Sequence, residues 1–135
     1  MTTLSNVACP AAGLDPFVRT LLRASGPINA FGAVIFAPPF PYVRRVFGLP
    51  DGSPIYLWVL SIWIFVFGVA YWQIGVTGRA DRTFLAVGAA GKVSFALVLI
   101  IAAVRGALPG TAVLVGLPDL AMAAVFASWL VRTRQ

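Results

Sequence analysis

The stretch Phe84–Val104, FLAVGAAGKVSFALVLIIAAV, decides how this chain folds. It is long enough to cross a bilayer, whose hydrocarbon core of about 30 Å takes roughly 20 helical residues. One charge interrupts it. Lys92 is the only lysine in the chain, and every other basic residue is arginine.

The composition around that stretch points the same way. Hydrophobic residues make up 60% of the 135 and charged residues 10%, against about half and about a quarter in soluble domains. A water-soluble domain of this size keeps too much surface exposed to bury so much apolar area. The expected fold is therefore all-α: a polytopic membrane protein built as a four-transmembrane-helix bundle. The net charge of +6 comes from arginines scattered between apolar runs. No basic face forms to track phosphates, so the charge orients helices in the membrane and no nucleic-acid partner is expected.

Four spans are expected, at about 15–37, 55–76, 83–104 and 112–131, after a cytoplasmic tail over residues 1–14. That tail lacks a signal peptide's basic start and apolar core, and no hydrophobic region precedes Cys9. The first span starts at Asp15-Pro16, an N-cap aspartate with proline at the first helical position. Pro27 inside it predicts a kink. Residues 38–54 read as a surface loop in which Arg44 and Arg45 are solvated. The second span is flanked by Tyr56 and Trp58 at one interface and by Tyr71 and Trp72 at the other, an aromatic belt. Trp129 is a further anchor near the C-terminus. The third span carries small residues from Ala86 to Gly91, which let another backbone approach closely. The last span has two candidate starts, near Ala112 or at Pro118-Asp119.

With four spans, Arg19, Arg23, Arg79, Arg82, Arg132 and Arg134 share one side, and Arg44, Arg45 and Arg105 the other. The excess places both termini in the cytoplasm of a bacterial-type inner membrane. A three-span alternative omits the first helix. A faint echo also runs through the chain: GLPD recurs at 48–51 and 116–119, each time before a span, and GKVSFALVLIIA of the third span is loosely similar to GPINAFGAVIFA of the first. Two hairpins related by an axis along the membrane normal would produce such an echo.

Soluble-enzyme motifs are missing, and GAAGK at 88–92 lacks the spacing of a phosphate-binding loop. No catalytic residue, metal site or cofactor is expected: the chain has one cysteine, no histidine and no glutamate. The chemistry concentrates on Lys92. It lies about 15 Å into its helix counted from Arg82, and Asp119 lies about 20 Å in from Arg132. A charge at that depth is costly and usually paired inside the bundle. The spacing predicts a Lys92–Asp119 contact, either structural glue or a proton or ligand site. Asn29 is a candidate for the same cavity. Ser61, Ser94 and Ser128 are expected to bond back to their own helices.

GLPDGSP after the first span, FVFGVAYW in the second and RADRTFLAVGAAGK leading into the third give a layout that resembles the small bacterial DoxX-like membrane proteins. The resemblance covers roughly residues 25–131 by pattern. It implies a four-helix bundle and a role beside redox or lipid-modifying membrane proteins, and it carries over no catalytic residue. The expected function is a non-catalytic accessory or interaction subunit, with the lipid bilayer and a larger membrane complex or a second copy as partners. One alternative is a small oligomeric transporter or proton-coupled carrier using Lys92 and Asp119. A third is a lipid- or quinone-binding membrane protein.

Overall fold

A computed structural model of the protein describes residues 13–133. Residues 1–12 of the expected 1–14 tail, with Cys9, and Arg134 lie outside the described residues.

Among the described residues five α-helices follow one another: α1 (Pro16–Phe36), α2 (Pro41–Val46), α3 (Pro54–Thr77), α4 (Arg82–Val104) and α5 (Val113–Arg132). A 3₁₀ turn, Gly110–Ala112, leads into α5. No strand occurs among the described residues. The starts of the long helices follow from local chemistry. The Asp15 carboxylate accepts from the Phe17 amide at 2.8 Å, with Pro16 at the first helical position. The Asp81 carboxylate accepts from the Phe84 amide at 2.8 Å. Each satisfies an amide that the first turn would otherwise leave unpaired. Gly78, at φ +70°, ends α3, because a left-handed residue there needs no Cβ clearance. Of the two candidate starts for the last span, α5 takes the earlier. Pro118 lies inside it, as Pro27 lies inside α1.

The segments Pro54–Thr77, Arg82–Val104 and Gly110–Arg132 are long and apolar enough to cross a membrane. Only 17% of the most apolar part of α3 is buried within the protein, so its outer face needs a non-aqueous solvent. These three helices suggest a membrane-embedded protein. α1 matches them in length, about 31 Å at 1.5 Å per residue. It is less apolar because Arg19, Thr20, Arg23, Ser25 and Asn29 interrupt it.

α1 packs mainly on α3, and α4 mainly on α5. The two pairs repeat one design. α1 buries Leu22, Ser25, Asn29, Ala33 and Phe36, and α4 buries Leu85, Gly88, Lys92, Ala96 and Leu99 at the same spacing. Ser61 of α3 donates to the Ala33 carbonyl at 2.8 Å, whereas Gly116 of α5 sits against the Ala96 backbone. Arg19 donates to the Gly75 and Val76 carbonyls at 2.9 and 2.7 Å, where α3 ends. Arg82 donates to the Leu130 and Thr133 carbonyls at 2.8 and 2.7 Å, where α5 ends. In each pair a cation near the start of one helix satisfies the last carbonyls of its neighbour.

This correspondence is not the one read from sequence identity. GLPD at 48–51 lies before α3 and GLPD at 116–119 lies inside α5, so the two are not equivalent. The echo pairs Gly26 with Gly91, but the packing pairs Ile28 with Gly91. Burial spacing, not residue identity, carries the repeat.

Three other expectations change. The 38–54 loop contains α2, and Arg44 is buried (3% exposed) instead of solvated. Its guanidinium donates to the Ala37 carbonyl at 2.9 Å and meets Asp51 at 3.3 Å, because the unpaired carbonyls at the end of α1 need a donor. Ser61 bonds across to α1 instead of to its own helix, whereas Ser94 and Ser128 do bond back. Of the small residues in α4, Gly88 is buried, but Ala86, Ala90 and Gly91 are exposed.

Candidate functional site

Between the two helix pairs lies a cavity of about 510 Å³. That is within the range of small-molecule sites. Its walls are mostly apolar, with aromatic side chains from α1, α3 and α4: Phe36, Trp63, Phe67, Tyr71 and Phe95. Phe36 and Phe95 meet edge to face with centroids 5.8 Å apart. Beyond Phe67 the wall continues into a stacked contact with Phe84 at 5.7 Å.

Lys92, Asp119 and Asn29 form the polar end. Each comes from a different helix: Asn29 from α1, Lys92 from near the middle of α4, Asp119 from the second turn of α5. Lys92 Nζ meets Asp119 Oδ1 in an ion pair. The same Nζ lies 3.5 Å from Asn29 Oδ1 and 5.5 Å from the centre of the Tyr71 ring, a cation–π geometry. Lys92 and Asn29 are each only 7% exposed. The lysine, which can only donate, fixes the amide with its oxygen inward. Asn29 Nδ2 is then buried without a hydrogen-bond partner.

Two glycines make this arrangement possible. A Cβ at Gly68 would stand 2.7 Å from the Asn29 Cβ and 3.3 Å from the Gly26 carbonyl oxygen, so α3 can approach α1 here only without a side chain. A Cβ at Gly88 would collide with the Tyr71 hydroxyl. In helices surrounded by lipid, small residues at such crossings are what permits close packing.

The structure brings Lys92, Asp119 and Asn29 together. The expected anchors divide. Tyr56 (77% exposed), Trp58 and Trp72 point outward. Tyr71 and Trp129 do not; both are buried, in one cluster with Leu22, Leu85 and Phe126. Tyr71 lies on the same face of α3 as Gly68 and Gly75, and that face packs inward. Trp129 lies beneath the Arg82 guanidinium, 5.8 Å from its ring centre. Sequence reasoning therefore missed Tyr71 as a wall of the site. The signal was the glycine spacing around it.

Among the described residues no group of three histidine, cysteine or carboxylate side chains could hold a metal ion. Comparison with protein-family models, with curated proteins and with solved structures finds no match to this chain.

Proposed function

We propose that this protein is a four-span membrane protein that holds a small lipophilic molecule in the cavity between its two helix pairs. The single observation that carries this reading is the cavity itself, about 510 Å³, apolar and aromatic-walled, with the Lys92–Asp119 pair at one end. Apolar, aromatic walls around a few polar groups are what a small-molecule site presents. This is the lipid- or quinone-binding alternative. The accessory role is compatible with it, because nothing in the site requires the ligand to be transformed.

The pairing of elements supports α1 as the fourth span. Arg19 relates α1 to α3 as Arg82 relates α4 to α5. A helix in the position equivalent to α4 crosses the same slab, and its two mid-span polar residues, Ser25 and Asn29, are buried against protein instead of facing lipid. With four spans the arginine excess orients both termini to the cytoplasm of a bacterial-type inner membrane. The DoxX-like layout agrees with such a bundle.

Binding of a fluorescent lipophile to the protein in nanodiscs tests the reading. A variant that fills the cavity without touching its polar end, Gly91→Phe, is expected to abolish binding. A Cβ at Gly91 meets nothing within 4 Å, so the backbone there accepts a side chain. Undiminished binding in this variant would sink the proposal.

The ion pair favours a second reading, a proton-coupled carrier. A paired lysine and aspartate deep in a membrane bundle mark transport routes in other proteins. A pH-dependent flux in liposomes that disappears with Lys92→Met would favour it.

A further inference from the structure

The hydrogen bonds of the ion pair leave one polar group open to the cavity. On the ligand-binding reading above, we propose that the cavity takes an uncharged, flat lipophile whose polar end is a hydroxyl, of the phenol or aromatic-alcohol class, donating to the Asp119 carboxylate.

Lys92 can only donate, and its donors are taken. They go to Asp119 Oδ1, to Asn29 Oδ1 at 3.5 Å and to the face of the Tyr71 ring. Asp119 is an acceptor, and only one of its oxygens is engaged. Its Oδ2 accepts no hydrogen bond among the described residues and, unlike Asn29 Nδ2, keeps accessible surface. That surface faces the cavity. Asp119 is one helical turn from both Gly116 and Met122, on the inward face of α5, and it lines the cavity. The other polar side chains at this end, Asn29, Lys92 and Tyr71, belong to residues 7%, 7% and 1% exposed, whereas the Asp119 side chain is 21% exposed. A ligand in the cavity therefore reaches Asp119 before any of them.

Charge decides the class of donor. Lys92 already neutralises Asp119. A cationic ligand would crowd a second cation against Lys92, and an anionic one would meet Oδ2, in both cases in a medium of low dielectric. A neutral hydroxyl meets neither difficulty, and a hydrogen bond to an ionised acceptor is stronger than one between neutral groups. The walls choose the rest of the ligand. Trp63, Phe67 and Phe95 line the cavity, and aromatic side chains favour offset-stacked or edge-to-face contact with another ring.

Two probes of one shape separate the donor from the ring: naphthol and its methyl ether. Each is titrated into the full chain in nanodiscs and read by tryptophan quenching, with Trp63 on the cavity wall. Affinities are referred to the probe concentration in the bilayer, so that lipid partition cancels. Naphthol is expected to bind about tenfold more tightly than the ether. Infrared difference spectra of the chain carrying isotope-labelled aspartate are expected to show a shifted carboxylate band with naphthol and none with the ether. Asp119 is the only aspartate that lines the cavity among the described residues. In Asp119→Leu combined with Lys92→Met, which strands no charge, the ratio of the two affinities is expected to fall to about one, whatever the affinities themselves become. A ratio near unity in the wild type, a ratio that survives the double variant, or a carboxylate band unmoved by bound naphthol would each overturn the inference while leaving a ligand site in place. The wild-type spectra decide it even where the double variant does not fold. If neither probe binds the wild type, the ligand-binding reading itself fails.

Discussion

Lys92 and Asp119 are separated by a turn and parts of two helices, yet their charges touch. Counting inward from Arg82 and Arg132 places both at similar depth. What such counting cannot supply is rotation about the helix axis, and so it could not say which groups complete the site. Asn29 looked like one polar residue in a weak span. Its orphaned amide becomes visible only once Lys92 has occupied the other end of the group. The pair also sets a stability prediction. Removing one partner strands a buried charge, at about 3–5 kcal/mol, whereas removing both leaves none. Asp119→Ala is therefore expected to destabilise the protein more than Asp119→Ala combined with Lys92→Met, in a double-mutant cycle of unfolding in mixed micelles. If the double variant loses as much as the two singles summed, the pair is not coupled. A second residue-scale contrast concerns glycine. Gly68→Ala must push α3 away from Asn29 and the Gly26 carbonyl, and a loss of about 1–3 kcal/mol is expected. Gly91→Ala, with nothing near its Cβ, is expected to be neutral. Thermal melts of the two variants in one detergent give the comparison.

At the scale of elements, the ends of the helices carry most of the polar chemistry. Caps at Asp15 and Asp81 were readable because aspartate before a helix has a local, sequence-adjacent partner. The arginines were not. Arg19 and Arg82 serve carbonyls far away in the chain, and Arg44 serves those at the end of α1, so each depends on a tertiary neighbour. Arg82→Gln is expected to cost about 1–2 kcal/mol and to fray the last turn of α5. Faster amide exchange at Leu130–Thr133 would report it, and unchanged exchange there would contradict it. Asp51 joins α2 to the turn before α3. Hydrogen bonds from Arg45, then from Arg44, hold its carboxyl below the ordinary value of 3.8. A depressed folded-state value means that the contribution is whole above pH 3.8 and is lost as pH falls through the lowered value. Proteolysis within residues 44–53 is therefore expected to accelerate only below about pH 4. Asp51→Asn should be cleaved at the faster rate at every pH, and a wild-type profile flat through that window would count against the clamp.

For the whole molecule, composition and run length were enough to indicate helices and a bilayer, because both follow from summed apolarity. The repeat was harder to see. Its two halves share few identical residues at equivalent places, although Leu22 and Leu85, and Ala33 and Ala96, do match. What they share is a burial pattern and a capping scheme. Contacts between equivalent positions then lie on the axis relating the halves: Asn29 meets Lys92, and Tyr71 meets Phe126 with centroids 5.4 Å apart. The cavity is built around that axis, and the two halves differ there by charge. The first pair brings Asn29 and Ile64, the second Lys92 and Asp119 at the corresponding places. On the proposed reading, a symmetric scaffold with one charged half would give a ligand a defined orientation. The most direct test is native mass spectrometry of the protein extracted from its membrane in mild detergent. Wild type is expected to carry one small lipophile per chain, and Gly91→Phe none. Wild type without any such adduct, or equal occupancy in the filled variant, would contradict the account.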